Sequence, residues 1–216
     1  RFDNLIIVGN DQSNKQWAKL FLRENLCLKT ENNKIKIDNR IALWSQGSGI
    51  QLNDEGIDLI VSQCKKRPNS LLLVDTLRSV TSQMGLDENK TEISAPIRKL
   101  QDATADLGVT GVMLHHTTKS VYGGNAVMAS SGSAAIPAAF DQTILMNWLK
   151  HNAEASTQTD KRIAISCMGR GVSSALVAEL TDNKWISHGD GDAAIEAERL
   201  SEVEENLQGR QGDVYD

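Results

Sequence analysis

Two short aliphatic runs, each cut off by polar residues, constrain this chain most. SLLLVDTLRS occupies residues 70–79 and VTGVMLHHTTK occupies residues 109–119. Runs this short and this apolar are the pattern of strands buried on both faces, as in a parallel sheet covered by helices. In an open α/β sheet the ligand crevice lies outside the carboxyl ends of the strands. Asp75, His115 and His116 stand at those ends, so chemistry is expected there. A carboxylate after a buried strand suits Mg²⁺, which takes one or two carboxylates together with water and phosphate oxygens.

The rest of the chain alternates as a parallel sheet requires. Residues 4–9 read as a strand, and 13–26 as an amphipathic helix with Trp17, Leu20 and Phe21 on one side. A short strand is expected near Ile41–Trp44, after the polar stretch ENNKIKIDNR. Asn53 can cap a helix running to about Lys66, and Pro68 bars its continuation. A further helix from Thr91 to Leu107 stops at Gly108. Residues 133–140 suit a short helix or turn. Strands near 142–149, 162–168 and 174–180 would complete the sheet, the last two as an antiparallel hairpin through MGRGVS. The polar segment 151–161 reads as a loop, and the glutamate-rich stretch from Asp192 to Leu207 as an amphipathic helix.

Composition narrows the function classes. A chain of 216 residues can bury one α/β core. Its three cysteines are far apart and odd in number, which points to neither a disulfide framework nor a CxxC metal site and favours a reducing, cytoplasmic setting. No apolar run reaches membrane-spanning length. A formal net charge of −5 argues against a basic coating protein for nucleic acid but leaves room for a local basic stripe.

Taken in order, VGNDQS, LLLVDTLRS, LHHTTK and then SSGSAAIPAAFDQTILM resemble the RecA-like ATPase core. The likeness is closest to the plasmid RepA-type and DnaB-type hexameric helicases, in which HHxxK, an SGS-like stretch and a downstream Asp recur. GGNAVMAS, residues 123–130, is similar to the glycine-rich stretch after the second DNA-binding loop of RecA. The resemblance spans residues 4–187 and implies an α/β, RecA-like three-layer fold with a mainly parallel central sheet and a C-terminal antiparallel hairpin. It implies a RecA-like core over 1–187, followed over 188–216 by an acidic amphipathic helix and the start of a further element.

One departure matters. The chain holds no G-x-x-x-x-G-K-[ST] phosphate loop. The chain opens at Arg1 directly before a strand and closes in ENLQGRQGDVYD, and the expectation is that the phosphate cradle lies upstream of residue 1. On that expectation these 216 residues alone bind ATP weakly and hydrolyse essentially none. A relative that has lost nucleotide binding is the open alternative.

The resemblance implies ATP and Mg²⁺ as cofactors, with Asp75 holding the metal through water and Thr76 assisting by hydrogen bonding. Asp11 takes the position of the acid that activates the attacking water, where the family usually has Glu, and Gln12 can share that role. Asp is also a preferred helix cap, and capping of the helix near Ser13 stays open for Asp11. His116 falls where a polar residue senses the γ-phosphate, with His115 as its support, while a core role is the ordinary use of a histidine. Arg78, Lys90, Lys119 and the amides of Gly123 and Gly124 lie on the loops that face DNA in RecA-like rings. Arg170, in CMGRG, matches an arginine that reaches a neighbour's nucleotide; an exposed hairpin arginine is the alternative.

Together these imply an ATP-hydrolysing, ring-forming motor acting on DNA, single-stranded by expectation, in replication or recombination, with a helicase ahead of a recombinase filament. A non-hydrolysing scaffold that keeps only the fold is the reading from a different class.

Overall fold

The computed structural model describes residues 1–29, 32, 34–116, 132–149, 160–182 and 184–212. The chain divides into two compact units, Arg1–His116 with Ser131–Ala139, and Thr117–Ser130 with Phe140–Asp216.

In the first unit, β1 (Asn4–Gly9), β4 (Ile41–Ser45), β5 (Ser70–Val74) and β6 (Val109–Met113) form a parallel sheet in the order β4-β1-β5-β6. Successive strand residues face opposite sides, so one aliphatic run feeds two cores. Ile6, Val8, Leu72 and Val74 pack with Ile57, Ile60 and Cys64 of α2 (Asp54–Lys66) and Leu100 of α4 (Ser94–Thr104). Ile7 packs on the other face with Trp17 and Phe21 of α1 (Asn14–Arg23). Gly9 ends β1 because α1 leaves no room for a side chain: a Cβ there would lie 2.4 Å from the Trp17 ring.

Local signals explain the helix ends. Asn53 caps α2, accepting from the amide of Gly56, as the sequence suggests. Ser13, paired with Gln16 in a capping box, caps α1, so the cap role open to Asp11 is taken by its neighbour. The helix expected over Thr91–Leu107 begins as a 3₁₀ turn at Thr91–Ile93 and its α-helical part ends at Thr104. Gly108, at φ +63°, then turns the chain into β6.

Three elements escape the sequence pattern. β2 (Cys27–Lys29) and β3 (Ile35–Ile37) form a small antiparallel ribbon, and α3 (Leu77–Thr81) occupies part of the stretch read as a loop. Three to five residues are too few to display a period.

The second unit holds β7 (Gln142–Trp148), β8 (Arg162–Gly169), β9 (Ser174–Thr181), β10 (Lys184–Asp190) and α5 (Gly191–Gly212). The β8–β9 hairpin forms as expected, but these strands do not extend the parallel sheet. They pair among themselves as a separate antiparallel sheet, in the order β10-β9-β8-β7. The reason is connection length. A parallel neighbour needs a crossover of a dozen residues or more, whereas β8–β9 and β9–β10 are joined by tight turns. On one face Leu149, Ala164 and Val177 pack with Ala194 and Ile195 of α5. The segment 151–159, read as a loop, lies outside the described residues.

Candidate functional site

Strand order places the crevice. After β1 the chain runs to β4 on one side, then crosses to β5 on the other and on to β6. Connections therefore diverge between β1 and β5, and ligands of open α/β sheets bind at the carboxyl end of such a switch point. Two side chains from each of these strand ends meet there. Gln12 Nε2 donates to Asp75 Oδ2 at 2.9 Å, and Thr76 Oγ1 donates to Asp11 Oδ2 at 2.9 Å. The two bonds cross-link residues more than sixty positions apart in sequence.

Backbone pairing sets this geometry. The amide of Asp75 donates to Val8 O at 2.8 Å, which continues the β1–β5 ladder one residue past the strand. Leu114 donates to Val74 O and accepts from Leu77, so β6 is likewise held up to the residue before the histidines. The Asp75–Thr76 peptide bond is cis. Asp75 is only 7 % exposed, and burial pushes its carboxyl above the usual carboxylate range. The Gln12 amide draws it back down, the neighbouring Asp11 charge raises it, and His116 lowers it.

An ionised carboxylate penalised by burial is a group that gains from a nearby cation. The donor set, two carboxylates and a hydroxyl, is all oxygen and fits Mg²⁺. Among the described residues no group of three or more His, Cys, Asp or Glu gathers as a complete metal cage. Mg²⁺ does not need one, because water and phosphate oxygens complete its shell.

Outside the pair, a cavity of about 660 Å³ opens along the carboxyl edge. Asp11, Thr76, Arg78 and His116 line it, together with Gly47 and Gly49 from the β4–α2 loop. The structure thus gathers Asp11, Gln12, Asp75, Thr76, Arg78 and His116 on one edge, with His115 half-buried beside them. Arg78 lies on α3 rather than on a loop. Lys90 is exposed in the turn before Thr91. Lys119, Gly123 and Gly124 lie outside the described residues. Arg170 belongs to the second unit, where it pairs with Asp141 at 3.0 Å and its amide donates to the Asp141 carbonyl at 2.8 Å.

Sequence reasoning missed Asn10, Gln51 and the Gly47–Gly49 loop. The pair of glycines bracketing Ser48 immediately after a strand was the available signal.

Comparison with solved structures agrees with this topology. A DnaB-like replicative helicase, described with its interactions with primase, superposes with TM-score 0.60 at 12 % identity, covering 83 % of this chain and 50 % of that one. The fold is RecA-like. A second solved structure, an isolated ATPase domain, matches this RecA-like chain with TM-score 0.61 at 11 % identity, over 87 % of this chain and 75 % of that domain. A KaiC-like protein from Pyrococcus horikoshii OT3 matches with TM-score 0.55 at 12 % identity, over 86 % and 76 %. The RecA-like chain spans half the length of the DnaB-like helicase. No protein-family model and no curated protein matches the sequence. Among the described residues no helix is long and apolar enough to cross a membrane.

Proposed function

We propose that this chain is the hydrolytic core of an ATP-driven, RecA-like motor that moves single-stranded DNA in replication, a ring helicase of the RepA/DnaB type. The observation that carries the reading is the crossed pair of hydrogen bonds, Gln12 to Asp75 and Thr76 to Asp11, at the switch point of the parallel sheet. Mg²⁺-bound ATP, when present, supplies the phosphoryl group that water attacks. Asp75 holds the metal's water shell with its ionised carboxylate, and Gln12 fixes which oxygen faces the crevice. Asp11 orients the attacking water and takes its proton, while the Thr76 hydroxyl keeps that carboxylate in one position.

His116 stands on the strand next to β5 and senses the phosphate, passing its loss to the segment that starts at Thr117; His115 supports it. Arg78, Lys90, Lys119 and the Gly123–Gly124 amides contact DNA phosphates, and Arg170 reaches the nucleotide of a neighbouring subunit in the ring. Support for the DNA and ring parts of the reading comes from the fold likeness to the DnaB-like helicase, and support for the ATPase part from the likeness to the isolated ATPase domain.

The decisive experiment is Asp75→Ala in the intact protein. Mg²⁺-dependent ATP turnover should be lost while circular dichroism and thermal melting report a folded chain, since an acid at a crevice adds little to the core. Full turnover in that variant would show that Asp75 is incidental.

A further inference from the structure

The cavity on the carboxyl edge is wider than the acid pair requires, and its outer wall takes no part in hydrolysis. That wall is the loop after β4. Gly47 has φ +90° and Gly49 φ +67°, and a Cβ on either would meet nothing within 4 Å. Bare backbone therefore faces open space there. The loop is nevertheless held firmly from behind. Asn10 Nδ2 donates to Ile50 O at 2.6 Å, and Ser48 Oγ donates to Asn10 Oδ1 at 3.0 Å.

Gln51 fastens the same loop to α3. The residue is buried, only 7 % exposed. Nε2 donates to Ser79 O at 3.0 Å, and Oε1 accepts from the Gln83 amide at 3.0 Å. Gly56 allows this approach, because a Cβ there would collide with the Gln51 carbonyl at 1.8 Å. The bracket fixes the helix that carries Arg78, an exposed cation that lines the cavity and has no ion pair or side-chain hydrogen bond among the described residues.

A fixed guanidinium facing an uncrowded glycine backbone is suited to a phosphate oxyanion. The guanidinium supplies charge and a fork of donors, and the absence of side chains lets a bulky group come close. β4 is the outer strand of the sheet, so an extended polymer can run past this wall while the acids keep the crevice between β1 and β5. We infer that Arg78 and the Gly47–Gly49 wall form a phosphate subsite for the backbone of a single nucleic-acid strand, with Gln51 as the residue that positions Arg78. The inference rests on the reading of the chain as a nucleic-acid motor.

The test uses one pair of variants that differ only in charge. Asn and Asp both tolerate the left-handed backbone of residue 49, so Gly49→Asn and Gly49→Asp should fold alike. In the intact protein, binding of fluorescent oligothymidylate should be roughly tenfold weaker for Gly49→Asp than for Gly49→Asn at low salt, with the gap closing as salt rises. Arg78→Gln should weaken binding and make the slope of log affinity against log salt shallower by about 0.7, the value of one single-strand phosphate contact. Equal affinities for the two Gly49 variants, or an unchanged slope for Arg78→Gln, would overturn the subsite. A raised KM for ATP with unchanged oligothymidylate affinity would overturn it too, giving the phosphate to a nucleotide. If the unaltered protein binds no oligothymidylate, the motor reading falls as well; if it binds and the variants match it, only the subsite falls.

Discussion

The parallel sheet of the first unit and the antiparallel sheet of the second are both built from strands rich in branched aliphatic residues, yet they bury them differently. In the first, Ile6 and Val8 enter one core while Ile7 enters the other, and the polar groups collect at the carboxyl edge. In the second, Leu145, Ala164 and Val177 face one way, with Ala164 and Val177 in the core that α5 covers, while Ile144, Met146 and Trp148 alternate onto the opposite face. Those three are 62 %, 53 % and 51 % exposed. Covering both faces pins the strands of the first sheet, and pinned strand ends can hold the Asp11–Thr76 and Gln12–Asp75 pairs in register. Hydrolysis is therefore assigned to an edge of the first sheet, and the second sheet is left with a face whose burial contributes little.

The largest expected contrast lies between an edge acid and a turn arginine's partner. Asp11→Asn in the intact protein removes the base but keeps the acceptor for Thr76, and kcat should fall roughly 10²- to 10⁴-fold with little change in melting temperature. Asp141→Ala breaks the Arg170 ion pair, whose side chains are both 80 % exposed, and should leave urea stability within about 0.5 kcal/mol. An unchanged kcat for Asp11→Asn would remove the acid from the mechanism. A large stability loss for Asp141→Ala would show that the turn is a structural anchor.

Core substitutions sharpen the same comparison. Phe21 is 1 % exposed beneath the parallel sheet, and Phe21→Ala should cost about 3–5 kcal/mol in urea unfolding. Met146→Ala, on the open face, should cost under about 1 kcal/mol. Similar losses at the two positions would mean that the open face is buried in solution against something else.

How much of this was legible depended on whether a residue's role is local. The runs 4–9, 70–74 and 109–113, and the Asn53 cap, carry their signals within a few residues, and the structure reproduces them within a residue or two. Asp75 was legible for the same reason: a polar residue after a buried strand marks the sheet edge whatever else the chain does. Gln51 was not, because its partners Ser79 and Gln83 lie 28 and 32 positions away and nothing near Gln51 announces them. β10 was missed because all seven of its residues are exposed, so the strand has no alternation to read. Separation of the sheets is likewise a matter of pairing between distant strands, for which hydrophobic period gives no register.

The smallest predicted effect concerns the charge on Asp75. Burial raises its carboxyl above the usual range, only partly offset by the Gln12 amide, so the ionised form fits the folded chain less well than the unfolded one. The sign follows from linkage. Stability associated with the protonated acid is fully present below the unfolded value of about 3.9 and is lost as pH rises through the higher folded value. At neutral pH the ionised Asp75 therefore weighs against the fold in the absence of a cation. Asp75→Asn removes the charge and keeps an oxygen to accept from Gln12 Nε2. Without Mg²⁺ the variant should melt about 2 °C above the unaltered protein at pH 7, and that gap should close toward pH 4, where the native acid is protonated as well. Added Mg²⁺ should raise the melting point of the unaltered protein more than that of the variant, because only the former has the ionised carboxylate that gains from the cation. A gap that stays constant across this pH range would locate the effect in packing rather than in charge, and a variant that melts lower at pH 7 would show that Asp75 is better matched to its surroundings than its burial implies.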